Sequence, residues 1–229
     1  MYKTEILTGA FMLALTVFAY LISRRFARVR FLKAIPTVII ASAMIIALIE
    51  LSNFTYEDYA LGGDIATWLL GPATVALAYP LYQFSYLLRE NASEIALATI
   101  SSSTVSIASM LILGAMFGLN SDIILSLLPK CVTTPVAIEI SNISGGIAGF
   151  TVCGVFISGL FGSAIGHALL KFCGVKSDIA YGLAIGATSH VIGTSKCLEV
   201  NDRQAAMSAL VLVLVAIFTT LVFSILTLF

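Results

Sequence analysis

The sequence predicts an all-α, polytopic membrane protein with about eight spanning segments, several of them discontinuous. The first observation is composition: of the 229 residues, 59% are hydrophobic and only 10% are charged, whereas a soluble domain carries roughly 25% charged residues. The second is that apolar runs of about 20 residues, long enough to cross a bilayer as a helix, recur along the chain. Short loops take up the remainder, so we predict that residues 1–229 form a single integral membrane domain.

The first loop sets the predicted orientation. The eight segments run about Ile6–Ile22, Ile35–Leu51, Ile65–Leu88, Glu94–Gly118, Asp122–Ser141, Ile147–Leu170, Ile179–Leu198 and Gln204–Phe229. The loop after the first segment carries five basic residues between Arg24 and Lys33. Positive loops stay in the cytoplasm, so we predict a multi-pass protein of the plasma (inner) membrane with its N-terminus outside.

The later segments differ in what they should pack against. Segment six carries Gly154, Ser158, Gly162 and Gly166 at four-residue spacing. This stripe favours close helix packing, either within one chain or in a homo-oligomer. Segment eight is almost purely aliphatic and is expected to face lipid. Simple alternation of eight crossings leaves the lysines after segment six outside, against the charge rule.

Segments three, five and seven break the rules for a spanning helix. Segment three contains Pro72 and Pro80, segment five contains Pro129 and Pro135, and segment seven contains the Gly- and Thr-rich run around His190. Proline removes a backbone hydrogen bond, and broken backbone at membrane depth must border protein or a water-filled cavity. We therefore predict a site at these breaks, with simple structural kinks as the alternative.

The break in segment five predicts an anion site. A half-helix N-terminus offers free N–H groups and about half a positive charge. Thr133 and Thr134 would add two hydroxyls, and Lys130 a full positive charge. The alternatives are that the threonines bond back to their own helix and that Lys130 extends to the membrane interface.

Glu139 and His190 are candidates for proton coupling. Glu139 lies in an otherwise apolar stretch, and carboxylates inside membranes are rare and often functional; the alternative places it among lipid headgroups at the segment end. His190 has Gly186 and Thr194 as its neighbours at four-residue spacing. A neutral histidine there can bind substrate or relay a proton, or it can be purely structural, as we expect for His167.

Other classes of protein are disfavoured. The chain has 12 basic and 12 acidic residues, and this balance argues against nucleic acid as a partner. The sequence contains no nucleophile-and-base arrangement, phosphate-binding loop or metal-ligand cluster. We therefore predict no enzyme activity, no metal and no cofactor.

Three stretches carry a resemblance to a known family. They are LLGPATVALAYPLY (Leu69–Tyr82), SLLPKCVTTPVAIEIS (Ser126–Ser141) and GLAIGATSHVIGTSKCLE (Gly182–Glu199). In these, and across the chain from about Ile35 onward, the sequence resembles the LrgB/CidB-type bacterial membrane proteins. The resemblance implies a holin/antiholin-like system that modulates murein hydrolase activity and autolysis together with a smaller LrgA/CidA-type membrane partner. Related systems resemble pyruvate transporters, and a plastid relative moves glycolate and glycerate.

The resemblance also implies the site residues. The family's motif positions carry over onto Pro72, Ala73, Thr74, Pro129, Lys130, Thr133, Thr134, Pro135, His190, Gly193 and Thr194. One departure is Cys131, where serine is common in the family. We predict a transporter of small monocarboxylates of the pyruvate, lactate or glycolate class, with a holin-like pore or regulator of autolysis as the alternative.

One topological problem stays open at this point. An inverted repeat of broken helices is typical of transporters. Segments three, five and seven, however, all point the same way in an eight-crossing count. Either an interrupted segment is re-entrant, or the repeats follow another count.

Overall fold

The computed structural model describes residues 2–26, 37–52, 54–69, 72, 75–76 and 78–226. Within these ranges the secondary structure consists of helices and turns without a strand, which confirms the all-α prediction. The helices are α1 Tyr2–Phe26, α2 Thr37–Leu51, α3 Tyr56–Trp68, α4 Ala78–Gln83, α5 Ser85–Glu90, α6 Ala92–Met116, α7 Ser121–Leu127, α8 Thr134–Ser144, α9 Ala148–Phe172, α10 Asp178–Leu198 and α11 Asp202–Leu226.

Four of the described helices are long and apolar enough to cross a membrane. They are Glu5–Phe26 of α1, and α6, α9 and α11. The other predicted segments are shorter or interrupted in the structure, so the count of about eight crossings is not reached by helix length.

The chain divides into two compact units, residues 1–73 and 74–229. In the first, α1 packs against α2 and α3. A capping box begins α3, in which the Thr55 hydroxyl accepts the Asp58 N–H and the Asp58 carboxylate accepts the Thr55 N–H. The bond from the Thr55 backbone lowers the pKa of the Asp58 carboxyl. This reciprocal pair satisfies two N–H groups at the start of α3.

In the second unit, segment five turns back on itself. The Ser126 hydroxyl accepts the N–H of Ile147 at 2.7 Å, and a Cβ placed on Gly146 would lie 2.9 Å from the Ser126 nitrogen. Twenty residues of continuous helix would separate these groups by about 30 Å. The chain therefore reverses between α7 and α8. We call residues 121–147 hairpin 1 and residues 128–133 its tip.

Segment seven is also re-entrant. His190 has φ 39° and ψ −134°, a break in the middle of α10. A Cβ on Gly193 would lie 2.7 Å from Cγ2 of Ile185 and 3.1 Å from its carbonyl oxygen, whereas eight residues of straight helix span about 12 Å. Residues 178–189 and 191–198 are thus antiparallel arms. We call α10 hairpin 2 and His190 its tip.

The two hairpins approach from opposite ends of α9. Near the start of α9, a Cβ on Gly154 would lie 2.5 Å from Cδ2 of Leu127 in hairpin 1. The next residue, Val155, accepts the Nε2–H of His190 at 2.9 Å. Hairpin 1 directly precedes α9 and hairpin 2 directly follows it. The hairpins therefore enter from opposite faces and both reach the same turn of α9. We call these faces the first face (hairpin 1) and the second face (hairpin 2).

This arrangement is an inverted repeat. Each half has a 25-residue helix followed by a hairpin, α6 with hairpin 1 and α9 with hairpin 2. Each long helix ends before a glycine with positive φ, Gly118 at 63° and Gly174 at 77°. Each hairpin then begins with the same Ser-Asp-Ile sequence, at Ser121 and at Ser177. Two re-entrant segments thus resolve the topological problem that the sequence left open.

The prediction that segment eight faces lipid is wrong. The helix α11 is the most buried of the four long apolar helices, at 44% of its span against 28% or less for the others. It packs against α10, α6, α4 and α8. An aliphatic surface suits a protein core and a lipid tail equally well, so composition could not distinguish the two.

The small-residue stripe of α9 packs within the chain. The Ser158 hydroxyl donates to the carbonyl of Thr188 at 3.0 Å, and Gly166 faces the end of the Ile185 side chain. On the other side of hairpin 2, a Cβ on Gly186 would lie 2.7 Å from the Ser208 Cα. These close approaches seat hairpin 2 between α9 and α11.

Candidate functional site

The tip of hairpin 1 presents a free helix N-terminus. Thr133 is the N-cap of α8, in extended conformation with φ −66° and ψ 146°, and makes no side-chain capping bond. Pro135 lies in the first turn of α8, where its missing N–H costs little. The first N–H groups of a helix have no intrahelical partner. The tip therefore offers donors and partial positive charge at the end of α8.

The Thr133 hydroxyl is buried without a partner. The residue is only 5% exposed, and its Oγ1 has no hydrogen-bond partner among the described residues. Leaving a buried polar group unsatisfied costs about 1–3 kcal/mol. A free hydroxyl beside a helix N-terminus is typical of a site that a polar ligand completes.

Lys130 adds a full charge to the same tip. Its Nζ donates to the carbonyl oxygen of Ser106 at 3.1 Å and to Ser106 Oγ at 3.3 Å. The Ser106 hydroxyl in turn donates to Cys131 Sγ at 3.0 Å. The ion pair among the described residues joins Lys196 to Glu199, so no described carboxylate pairs with Lys130. A half-buried ammonium with neutral partners alone favours an anionic ligand.

A narrow cleft lies between this tip, α6 and α11. It is too narrow as it stands to admit a water molecule. Thr219 Oγ1 donates to Ser103 Oγ across it at 3.4 Å. The lining residues are Ser103, Ser106, Ile107, Leu128, Pro129, Cys131, Val132 and Thr219. The tip must move for a ligand to enter.

The predicted residues of segment seven meet at the tip of hairpin 2. His190 is 3% exposed, and its Nε2 donates to the carbonyl of Val155. The Thr194 hydroxyl donates to the carbonyl of His190 at 2.8 Å and lies 2.7 Å from Ser208 Oγ. Gly193 lets the second arm lie against Ile185. Each of these residues has a contact that holds the hairpin closed.

Three predicted residues remain, Glu139, Pro72 and Thr74. Glu139 is exposed on α8 rather than buried, and no described hydrogen bond joins it to Lys130 or Thr133. Pro72 is exposed in the first unit, and Thr74 lies outside the described residues. Of the predicted binding residues, Lys130 and Thr133 lie in the tip of hairpin 1, and Thr134 is the first residue of α8.

Sequence reasoning missed the residues that α6 and α11 contribute. Small hydroxyl residues in a spanning helix, such as the run Ser101–Thr104, indicate close helix packing rather than a binding site, and nothing in the sequence brings Ser106 to Lys130. The signal that could have found the arrangement is the repeated Ser-Asp-Ile after a glycine, at Ser121 and Ser177. This repeat marks two equivalent hairpins. It predicts that each hairpin packs against the long helix that precedes it, which brings α6 to hairpin 1.

Replacing Thr133 with valine should have opposite effects on stability and on binding. Valine has nearly the same shape and removes the unsatisfied hydroxyl, so the unfolding free energy should rise by about 1 kcal/mol. The same change removes a ligand donor, so the KM for substrate should rise. Thermal unfolding in detergent and transport kinetics measure the two effects. A fall in both stability and KM would contradict this role of Thr133.

A second pair of variants separates the backbone and side-chain roles of His190. Its positive φ is strained for a side-chain-bearing residue, by roughly 1–3 kcal/mol. His190→Gly relieves the strain and loses the bond to Val155, whereas His190→Ala loses the bond and keeps the strain. We expect the glycine variant to unfold at the higher temperature of the two. The reverse order would show that the break is not strained.

Comparisons with known proteins identify the family of the chain and several relatives. The profile of the LrgB-like family matches residues 16–229. Uncharacterized protein YxaC of Bacillus subtilis is 37% identical over 208 residues, covering 89% of this chain and 88% of its own. Holin-like protein CidB of Staphylococcus epidermidis is 31% identical over 98% of both chains, and that of Staphylococcus aureus 32% over 95% of both.

No solved structure matches the chain. The family profile covers all of the second unit, including both hairpins, and the relatives align over nearly their whole length. The chain is a membrane protein that belongs to the LrgB-like family.

Proposed function

We propose that this protein transports small monocarboxylates, of the pyruvate, lactate or glycolate class, across the plasma membrane. The observation that carries the proposal is the tip of hairpin 1. This short segment carries an ammonium without a described acidic partner, Lys130, the unpartnered Thr133 hydroxyl and the N-cap of α8. A carboxylate would satisfy all three groups.

The inverted repeat supports transport rather than binding alone. Transporters place their substrate near the midplane, where discontinuous helices of two inverted repeats meet. Here the tips of the two hairpins contact neighbouring residues of α9, Gly154 and Val155. Each tip can therefore lie on the route to one face of the membrane.

The polar lining of the cleft supports a small oxygen-bearing substrate. Hydroxyls of Ser103, Ser106 and Thr219 line it. They suit a short acid that carries a further oxygen atom.

Charge supports an orientation for the second unit. With two re-entrant hairpins, five basic residues fall at the second face: Arg89, Lys171, Lys176, Lys196 and Arg203. The stretches at the first face, 117–121 and 145–147, carry none. The positive-inside rule then makes the second face cytoplasmic, and the lysines after segment six no longer violate it. Hairpin 1 would enter from outside; the external N-terminus remains a prediction.

Partner and coupling ion are further parts of the proposal. The partner would be an LrgA/CidA-type membrane protein. For proton coupling the two candidates stay Glu139, which is exposed on α8, and His190, whose Nε2 is bonded to the Val155 carbonyl.

Counterflow tests the transport proposal. Proteoliposomes containing the purified chain, with and without the partner, are loaded with unlabelled pyruvate and diluted into labelled pyruvate. Transient accumulation of label is expected, and a panel of short acids then ranks substrates. Absence of counterflow for every acid, with the partner present, would reject the proposal.

The names of the staphylococcal relatives favour a second candidate, a holin-like pore. A pore would release a trapped fluorescent dye from the same proteoliposomes and would not saturate with substrate. A carrier with a closed cleft retains the dye.

A further inference from the structure

We propose that hairpin 1 is the moving gate of the carboxylate site and that hairpin 2 stays fixed, so access is controlled at the first face. That the gate serves a carboxylate site rests on the proposed function. The difference in mobility between the two hairpins rests on their packing alone.

Hairpin 2 is locked to its neighbours by backbone contacts. A Cβ on Gly182 would lie 2.5 Å from the carbonyl oxygen of Gln204, and one on Gly186 would lie 2.7 Å from the Ser208 Cα. On the α9 side, a Cβ on Gly162 would overlap the Ser189 side chain. Backbone packed this closely leaves no room for an arm to slide, and a displaced arm would leave a void.

A polar latch holds the base of hairpin 2. The Gln204 amide donates to Asp178 Oδ1 at 2.7 Å, and its oxygen lies 3.0 Å from Nε2 of His167. Because the carboxylate can only accept, the amide oxygen faces the histidine and His167 donates from Nε2. The His167 ring stacks on Tyr181 with centroids 5.5 Å apart. The latch joins α9, α10 and α11.

Hairpin 1 contacts its long-helix neighbours through side chains, including a buried hydrogen bond from Thr151 of α9 to Ser141 at 2.7 Å. Gly114 of α6 faces the Ile124 side-chain end, and Gly154 of α9 faces Cδ2 of Leu127. At the tip, the described bonds to α6 come from two side chains, Lys130 and Cys131, that both meet Ser106. Side-chain ends can change rotamer at small cost, and the cleft leaves space beside the tip.

The repeat explains why the two hairpins differ. With the halves aligned at Ser121 and Ser177, Ser106 corresponds to Gly162. Glycine in α9 lets hairpin 2 seat fully, whereas the serine side chain in α6 holds the tip of hairpin 1 away and leaves the cleft. Hairpin 2 is therefore packed tightly against its neighbours, whereas hairpin 1 is packed loosely enough to move.

Thiol labelling tests this difference with two sites of equal burial. Val132 in the tip of hairpin 1 is 1% exposed and Cys197 in hairpin 2 is 0% exposed. Two single-thiol proteins are compared, both with Cys131, Cys153 and Cys173 replaced by serine. One retains native Cys197, and the other carries Val132→Cys with Cys197→Ser. N-ethylmaleimide is applied to proteoliposomes, and total thiol is measured after denaturation.

The structure buries both thiols equally. Labelling over a range of pH corrects each rate for the thiol pKa, so a difference that remains reports motion. We expect Val132→Cys to react roughly tenfold faster than Cys197, because the tip opens more often. Equal rates, or a faster Cys197, would overturn the gate assignment. The labelling rates do not depend on transport. The gate assignment and the transport proposal can therefore fail separately: labelling tests the first and counterflow tests the second.

A second variant covers the case in which Val132→Cys does not fold. Ser106→Cys would face native Cys131, where the present Oγ and Sγ atoms are 3.0 Å apart. Oxidation should cross-link the tip to α6 and stop counterflow, and a reductant should restore it. Ser106→Cys with Cys131→Ser is the matched control and should not respond to oxidant. Full counterflow by the cross-linked protein would overturn the proposal.

Discussion

Lys130→Ala is expected to lower kcat/KM for carboxylate counterflow by about 100-fold, which corresponds to about 2.7 kcal/mol. The ammonium is half-buried and its described partners are the carbonyl and hydroxyl of Ser106. It therefore provides a charge that no neighbouring carboxylate neutralises. Breaking a fully buried charge pair costs about 3–5 kcal/mol, and the partial exposure of Lys130 reduces that figure.

The same substitution should leave the fold intact. Alanine leaves no unpaired charge behind, because the partners of Lys130 are neutral. Lys130→Gln keeps much of the side-chain length without the charge and should lose nearly as much activity, which separates charge from shape. Lys176→Ala, at an exposed position on the second face, is the matched control. Unchanged counterflow in Lys130→Ala and Lys130→Gln would reject this site.

Gly186→Ala is expected to be the most destabilising single-methyl change in hairpin 2. The added carbon would lie 2.7 Å from the Cα of Ser208, and backbone cannot turn aside as a side chain can. Overpacking of this kind typically costs about 1–3 kcal/mol. We expect a lower unfolding temperature in detergent and a smaller folded yield.

Gly149→Ala provides the matched control for this prediction. Gly149 is also helical, in the first turn of α9, but a Cβ there meets nothing within 4 Å. Alanine should stabilise that helix by up to about 1 kcal/mol. If Gly186→Ala unfolded at the temperature of Gly149→Ala, the close seating of hairpin 2 on α11 would be refuted.

The sequence predicted the site of interruption in segment five correctly, for a physical reason. Pro129 and Pro135 cannot both continue a helix, so the break between α7 and α8 and the exposure of the Thr133 end of α8 followed from residue chemistry. Lys130 lies in the interruption itself, three residues before Thr133, and its ammonium bonds to Ser106. These features depend on a few neighbouring residues, which is the range over which a sequence is informative without an alignment.

Direction and burial could not be predicted in the same way. Hydropathy is the same for an apolar segment that crosses the membrane and for one that turns back, so hairpin 2 counted as a crossing. The break at His190 contains no proline, and its positive φ has no marker in the sequence. Ser106 became part of the site only through contact between α6 and the tip of hairpin 1, which joins residues 24 positions apart.

The seating of hairpin 2 against α11 also constrains how the protein is made. The hairpin leaves the ribosome before α11, yet Gly182 and Gly186 find their packing surface on α11. Until α11 is inserted, backbone N–H and C=O groups at the broken turn would face lipid without hydrogen-bond partners. Biogenesis should therefore pass through a stage in which this segment waits at the membrane surface, exposed to chaperones and membrane proteases, and enters the bilayer together with the helix that follows it.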